Sequence, residues 1–117
     1  MNISLLVQGG PLLTNAPAIA LQFAREAVTQ GHSLHRIFFY KSAVQFAHRF
    51  SSVPANETDL QSEWRIFADE SGTEIAVCIA AAQRRGITED NIADGFSIVG
   101  LGQMVDAMLE SDRAVTF

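Results

Sequence analysis

Short apolar runs alternate with stretches of helical spacing along the whole chain. Several of these runs are apolar at nearly every position, which is typical of strands that are buried on both faces of a sheet. Because helical segments separate the runs, the sequence predicts an α/β fold, with one sheet of about five mainly parallel strands and helices on both faces. The predicted strands are Ile3–Val7, Leu34–Tyr40, Glu74–Cys78, Phe96–Val99 and Ala114–Phe117.

The first helix is predicted between the first two strands. Thr14 or Asn15 can cap its N-terminus, its first turn tolerates Pro17, and Gly31 ends it. Apolar residues that recur every three and four positions form its predicted buried face. They are Ala20, Phe23, Ala24, Ala27 and Val28.

A short helix is predicted over Ser42–Phe50. It carries Phe46 and Phe50 four residues apart, so both rings should share one face, with Lys41 and Arg49 nearby. A face that combines aromatic and basic residues suits a protein interface. Rings at helical spacing also pack in cores, so the pattern leaves both interpretations open.

Three more helices are predicted in the second half of the chain. Thr58 and Gln61 fit a capping box for the first of them, which Gly72 ends. Its apolar stripe consists of Leu60, Trp64 and Phe67. A short helix is predicted over Ile79–Arg85, and the last helix carries Val105, Met108 and Leu109.

Composition narrows the class of protein. The chain has 117 residues, 48% of them hydrophobic, and a net charge of −5, which suits one domain over residues 1–117 and argues against nucleic acid as a direct partner. The N-terminal segment resembles neither a signal peptide nor a membrane span, and a single cysteine cannot form an internal disulfide. We therefore expect a cytoplasmic protein that contacts no membrane.

The charge is unevenly distributed. No acidic residue occurs between Glu26 and Glu57. This segment is either a solvated face or a docking face for an acidic partner protein. Its basic and histidine residues are His32, His35, Arg36, Lys41, His48 and Arg49.

Two candidate sites offer little chemistry. The loop Gln8–Asn15, QGGPLLTN, contains neither GxGxxG nor a P-loop pattern, so we interpret it as a tight turn rather than a phosphate loop. The three histidines have no cysteine or carboxylate at ligand spacing beside them, so we expect no metal site.

The third candidate is Cys78, the only cysteine, which lies between the predicted third strand and a short helix. Carboxyl ends of parallel strands face the crevice in which open α/β sheets bind ligands, and a helix N-terminus stabilises a thiolate. Arg84 and Arg85 lie about two turns further on, so they should act on the helix C-terminus more than on the sulfur. The alternative is that Cys78 is a small apolar residue of the core.

Taken whole, the sequence resembles the DsrE/TusD family of sulfur-relay proteins, and its TusD-like members most closely. The resemblance rests on FFY in the second strand, VCIAAAQRRG around Cys78, GF at Gly95-Phe96, GLG at Gly100–Gly102 and the ending SDRAVTF. It implies a flavodoxin-like α/β fold. It also implies one catalytic residue, because the sulfur-carrying cysteine of the family matches Cys78.

The resemblance further implies an activity and partners. It implies a sulfurtransferase subunit that carries persulfide sulfur on one cysteine, without a metal or an organic cofactor. TusD-like chains assemble with TusB-like and TusC-like chains into a heterohexamer. They accept sulfur from a TusA-like carrier and pass it to a TusE-like protein, toward 2-thiolation of the wobble uridine of tRNA.

Two other functions remain open at this point. A DsrE-type subunit would use the same chemistry in dissimilatory sulfur oxidation. A non-catalytic partner subunit, or a small-ligand-binding subunit of the same fold, would leave Cys78 merely packed.

Overall fold

The computed structural model of the chain describes all 117 residues and contains five strands, four α-helices and one 3₁₀ helix. All five predicted strands are confirmed to within a residue at their ends. None of the helices has both the length and the apolar composition needed to cross a bilayer. In chain order the elements are β1 Asn2–Val7, α1 Ala16–Thr29, β2 Ser33–Phe39, the 3₁₀ helix Lys41–Ala47, α2 Leu60–Ser71, β3 Ile75–Cys78, α3 Ile79–Arg84, β4 Phe96–Val99, α4 Leu101–Glu110 and β5 Arg113–Thr116.

The strands form one sheet in the order β4-β3-β2-β1-β5, and every neighbouring pair is parallel. The first three connections step in one direction across the sheet, and the connection from β4 to β5 returns to the opposite edge. Because such crossovers are right-handed, α1, α2 and α3 lie on one face and α4 lies on the other. The predicted α/β fold with helices on both faces is confirmed.

An aromatic cluster packs on the face of the sheet that carries α1, α2 and α3, which we call the three-helix face. The ring of Phe39, on the central strand β2, lies 5.2 Å from Trp64 of α2, 5.9 Å from Phe96 of β4 and 6.0 Å from Phe46 of the 3₁₀ helix. All three contacts are edge-on, the arrangement that the ring quadrupoles favour. The cluster therefore joins four elements through one side chain.

The predicted capping box of α2 is wrong. The N-cap is Asp59, whose carboxylate accepts hydrogen bonds from the backbone N–H and the hydroxyl of Ser62. The Gln61 side chain instead donates to the backbone carbonyls of Phe46 and His48. The predicted end is confirmed, because Gly72 takes the left-handed conformation, with φ of 69°.

The predicted shared face of Phe46 and Phe50 is also wrong. The segment forms a 3₁₀ helix that ends at Ala47, so Phe50 lies beyond it. Phe46 is in the core, whereas 69% of the Phe50 surface is exposed and the Arg49 guanidinium lies 4.7 Å from its ring centre. Of these two rings, only that of Phe50 is exposed enough to contact a partner.

The buried face of α1 differs in part from the prediction. Ala20, Ala24 and Ala27 are buried, together with Leu21. Phe23 and Val28, at the edge of the stripe, are more than a third exposed. The Phe23 ring instead packs against the Phe117 ring, with 5.5 Å between their centres.

Candidate functional site

Cys78 is the last residue of β3 and the N-cap of α3, so its predicted position between a strand and a helix is confirmed. Every residue of β3 is buried, and the strand pairs with β2 on one side and with β4 on the other. The strand register fixes the neighbours of the cysteine. Cys78 pairs with Val99, and Tyr40 follows Phe39, which pairs with Val77.

The strand order places Cys78 at a point where the connections of the sheet leave toward opposite faces. After β3 the chain enters α3 on one face of the sheet, and after β4 it enters α4 on the other. Cys78 and Val99 therefore end two neighbouring strands whose connections diverge. In open parallel sheets a crevice forms outside the carboxyl ends of such a pair of strands, and ligands bind there.

Other loops meet at the same edge of the sheet. The 3₁₀ helix packs against β3 and α3, and it begins at Lys41, which has a left-handed φ of 52°. The turn after β1 fits closely against this segment, because a Cβ atom on Gly10 would lie 3.1 Å from the backbone oxygen of Ser42. The turn interpretation of the loop Gln8–Asn15 agrees with this packing.

The thiol of Cys78 is free, but the residue is only 2% exposed and belongs to the hydrophobic core. Reactive cysteines are normally at least partly exposed, whereas buried ones are usually inert. In the isolated chain, a reagent in solution can therefore contact the Cys78 thiol only if the residues that cover it are displaced.

The remaining candidate residues lie elsewhere. Arg85 donates a hydrogen bond of 3.0 Å to the carbonyl of Ala81, as predicted for an arginine that acts on its own helix. His35 pairs with Glu110 at 3.0 Å, while His32 contacts the terminal amine of Met1 at 2.8 Å. No three histidine, cysteine or acidic side chains come together as a metal-binding group.

A cleft of about 680 Å³ lies between α1, α2 and the loop of residues 51–59. Its charged residues are Arg25, Glu57, Asp59 and Glu63. Cys78 does not line it, so the cleft and the cysteine are separate candidates for binding and for chemistry. Nothing in the sequence pattern indicated this cleft, because elements distant along the chain form its walls.

The chain is similar over its full length to known proteins. A family profile described as DsrE/DsrF-like matches residues 1–117. The chain is 38% identical to the sulfurtransferase TusD of Cronobacter sakazakii, with all of both chains covered. It is 35% identical to a putative sulfurtransferase DsrE of Allochromatium vinosum, with 100% of this chain and 98% of that protein covered. Both alignments extend over 128 residues, so these relatives contain residues that this chain of 117 lacks.

Solved structures share the fold. The YchN protein of E. coli superimposes with a TM-score of 0.87 at 23% identity, covering 99% of this chain and 98% of its own. A protein of unknown function from Methanobacterium thermoautotrophicum, MTH1491, gives a TM-score of 0.77 at 14% identity with the same coverage. At these identities the likeness concerns the arrangement of strands and helices.

Proposed function

Because the chain belongs to the DsrE/DsrF-like family, we propose that it is a sulfurtransferase of a sulfur relay in which Cys78 carries the sulfur as a persulfide. The observation that carries the proposal is the place of the only cysteine. It ends β3 beside β4, where the connections of the sheet diverge, in a chain similar over its full length to sulfurtransferases named TusD.

The proposed reaction needs one sulfur nucleophile. The Cys78 thiolate attacks the outer sulfur of a donor persulfide, and a new S–S bond forms to Sγ while the S–S bond of the donor breaks. The electron pair of the broken bond leaves with the donor thiolate. An acceptor thiolate then repeats the attack on the outer sulfur held by Cys78. Each step forms one S–S bond and breaks one, so the relay consumes no oxidant or reductant.

The proposal includes partners. The donor is a TusA-like carrier, the acceptor is a TusE-like protein, and the chain works beside TusB-like and TusC-like chains in a heterohexamer. The sulfur goes toward 2-thiolation of the tRNA wobble uridine, in the cytoplasm, where thiols stay reduced. A DsrE-type role in sulfur oxidation would use the same step with other partners, and the similarity to a putative sulfurtransferase DsrE supports it as the alternative pathway.

One observation favours a different class of function. Cys78 is almost completely buried, as expected of a subunit that is structural or binds a small ligand in the cleft beside α1 and α2. The two functions make opposite predictions for sulfur loading.

The test is the intact mass of the purified chain after incubation with a cysteine desulfurase, cysteine and a TusA-like carrier. The wild-type chain should gain about 32 Da, the mass of one sulfur atom in a persulfide. The Cys78→Ser variant should gain none, because a hydroxyl cannot form the S–S bond. A reductant should remove the added mass. Equal loading of the serine variant would refute the assignment of Cys78, and no loading of either chain would favour the non-catalytic subunit.

A further inference from the structure

The side chain of Cys78 points to the face of the sheet that carries α4. Successive side chains of a strand alternate between the two faces, and residues that pair across parallel strands point to the same face. Phe39 packs against Trp64 on the three-helix face, so Val77, its partner on β3, points to that face as well. Cys78 is the next residue and therefore points to the opposite face. Val99, its partner on β4, does the same.

This orientation turns the thiol of Cys78 away from α3. Although Cys78 is the N-cap of α3, its side chain makes no capping hydrogen bond to the first turn of that helix. The thiol is also 98% buried, because only 2% of the residue is exposed. A buried nucleophile without a partner is thus directed toward the α4 side of the sheet, and α3 supplies no hydrogen bond to its sulfur.

The N-terminal turn of α4 lies on the side to which the thiol points. α4 begins at Leu101, two residues after Val99, and packs on β2, so its first turn crosses over the end of β3. The backbones of Cys78 and Val99 are about 4.8 Å apart, the usual spacing of paired strands. A persulfide places its outer sulfur about 2 Å beyond Sγ, the length of one S–S bond. The outer sulfur of a loaded Cys78 is therefore directed at the start of α4.

The first turn of α4 has hydrogen-bond donors that the chain does not use. The backbone N–H groups of Leu101 and Gly102 have no backbone partner, and the N-cap, Gly100, has no side chain that could accept from them. A Cβ atom on Gly100 or Gly102 would meet nothing within 4 Å, so neither glycine is needed for packing. Glycine at these positions leaves the backbone open to the close approach of an anion.

The geometry points to the N-terminal turn of α4 as the group that binds the negatively charged outer sulfur of the Cys78 persulfide, through the N–H groups of Leu101 and Gly102. The inference rests on the proposed function, because only a loaded Cys78 carries this sulfur. The free N–H groups and the helix dipole both favour negative charge at this end of α4. Because Gly100–Gln103 are exposed, a sulfur held there is open to an acceptor although Cys78 itself is buried. The binding adds no covalent step to the relay.

The first experiment measures an exchange constant. Each protein is equilibrated with glutathione persulfide and glutathione at set ratios, and intact mass gives the loaded fraction; Cys78 gains the outer sulfur as glutathione is released. Leu101→Pro removes one N–H donor, and proline suits this first helical position after the extended Gly100. The exchange constant should fall about tenfold, as expected for one lost hydrogen bond to a charged group. Leu101→Ala is the matched control, because it removes the same side chain, keeps the N–H and should change the constant less than about twofold.

A second variant separates this role from damage to the fold. In Gly100→Asp the new carboxylate caps α4, so it occupies the free N–H groups and repels the persulfide. The loaded fraction should fall about tenfold or more at a fixed ratio of donor to glutathione. The melting temperature should rise or stay unchanged, because aspartate is a good N-cap. Lower loading in a protein that is at least as stable as the wild type cannot come from unfolding.

The outcomes distinguish the inference from the proposed function. If the wild type loads and both Leu101→Pro and Gly100→Asp load equally well, the α4 turn is not the sulfur site, and the sulfurtransferase stands. Equal losses in Leu101→Pro and Leu101→Ala would also overturn the inference, because the side chain would then be responsible. If Leu101→Pro does not fold, Gly100→Asp decides alone. A wild-type chain that never loads would reject the proposed function, and the inference with it.

Discussion

Gly9 is a residue at which the chain has no room for a side chain. A Cβ atom there would collide with the Cγ2 methyl of Thr14 and lie 3.2 Å from Cδ of Pro17. Thr14 is itself held, because its hydroxyl accepts a hydrogen bond of 3.2 Å from the backbone N–H of Ala16. The close fit of this turn therefore depends on two residues that lie five positions apart.

We expect Gly9→Ala to lower the free energy of unfolding by about 1–3 kcal/mol, the usual cost of overpacking. Thr14→Ser removes the colliding methyl and keeps the hydroxyl, so the double variant should recover part of the loss. Urea unfolding of the four proteins measures both effects. Strictly additive losses in the double variant would show that the collision with Thr14 is not the cause.

At the scale of elements, the start of α2 depends on one carboxylate. Asp59 accepts hydrogen bonds from the backbone N–H of Ser62 at 3.2 Å and from its hydroxyl at 2.8 Å. Thr58, one residue earlier, makes no side-chain hydrogen bond and is exposed. Aspartate also suits this position because its negative charge is attracted to the positive N-terminal end of the helix dipole.

Replacing Asp59 by alanine should therefore cost about 1 kcal/mol of stability, the typical value for a lost N-cap. Thr58→Ala, the matched control, should change stability by less than about 0.5 kcal/mol, as surface substitutions do. The comparison requires only thermal or urea unfolding. A larger loss for Thr58→Ala than for Asp59→Ala would restore the capping box that the sequence predicts.

At the scale of the whole molecule, the aromatic cluster around Phe39 connects the two halves of the chain. Its neighbours Phe46, Trp64 and Phe96 belong to three different elements, and the Phe39 side chain is fully buried. Phe23 has a single aromatic neighbour, Phe117, and is 37% exposed. Phe39 therefore contacts aromatic rings of three other elements, whereas Phe23 contacts one.

We expect Phe39→Ala to lower the free energy of unfolding by about 3–5 kcal/mol, a large share of the total stability of a small domain. Phe23→Ala should cost clearly less, because part of its ring is already in water. Chemical denaturation followed by tryptophan fluorescence reports the difference, since Trp64 lies in the cluster. Equal losses for the two variants would mean that Phe39 does not have this central role.

Much of the element content could be predicted from local sequence. The runs at Ile3–Val7 and Leu34–Tyr40 are strands because apolar residues fill nearly every position, and Gly31 and Gly72 end helices because both adopt positive φ. Local prediction failed at Thr58 and at Phe50. Asp59 and Thr58 are both good caps, and only the path of the chain selects one of them. Over so short a segment, a 3₁₀ helix and an α-helix can have the same apolar pattern. The end of the helix at Ala47 could therefore not be predicted from the sequence.

The sequence by itself determined the alternation of strands and helices and placed the only cysteine at the end of a strand, because hydrophobic periodicity is a property of each segment. The tertiary structure alone decided the strand order, which sets Cys78 beside Val99 where the connections diverge. It also decided that Cys78 is buried, whereas the side chains of Val105 and Leu109 are exposed to solvent. Pairing and coverage depend on contacts between segments far apart in the chain, so residues of the same apolar character can end in the core or on the surface.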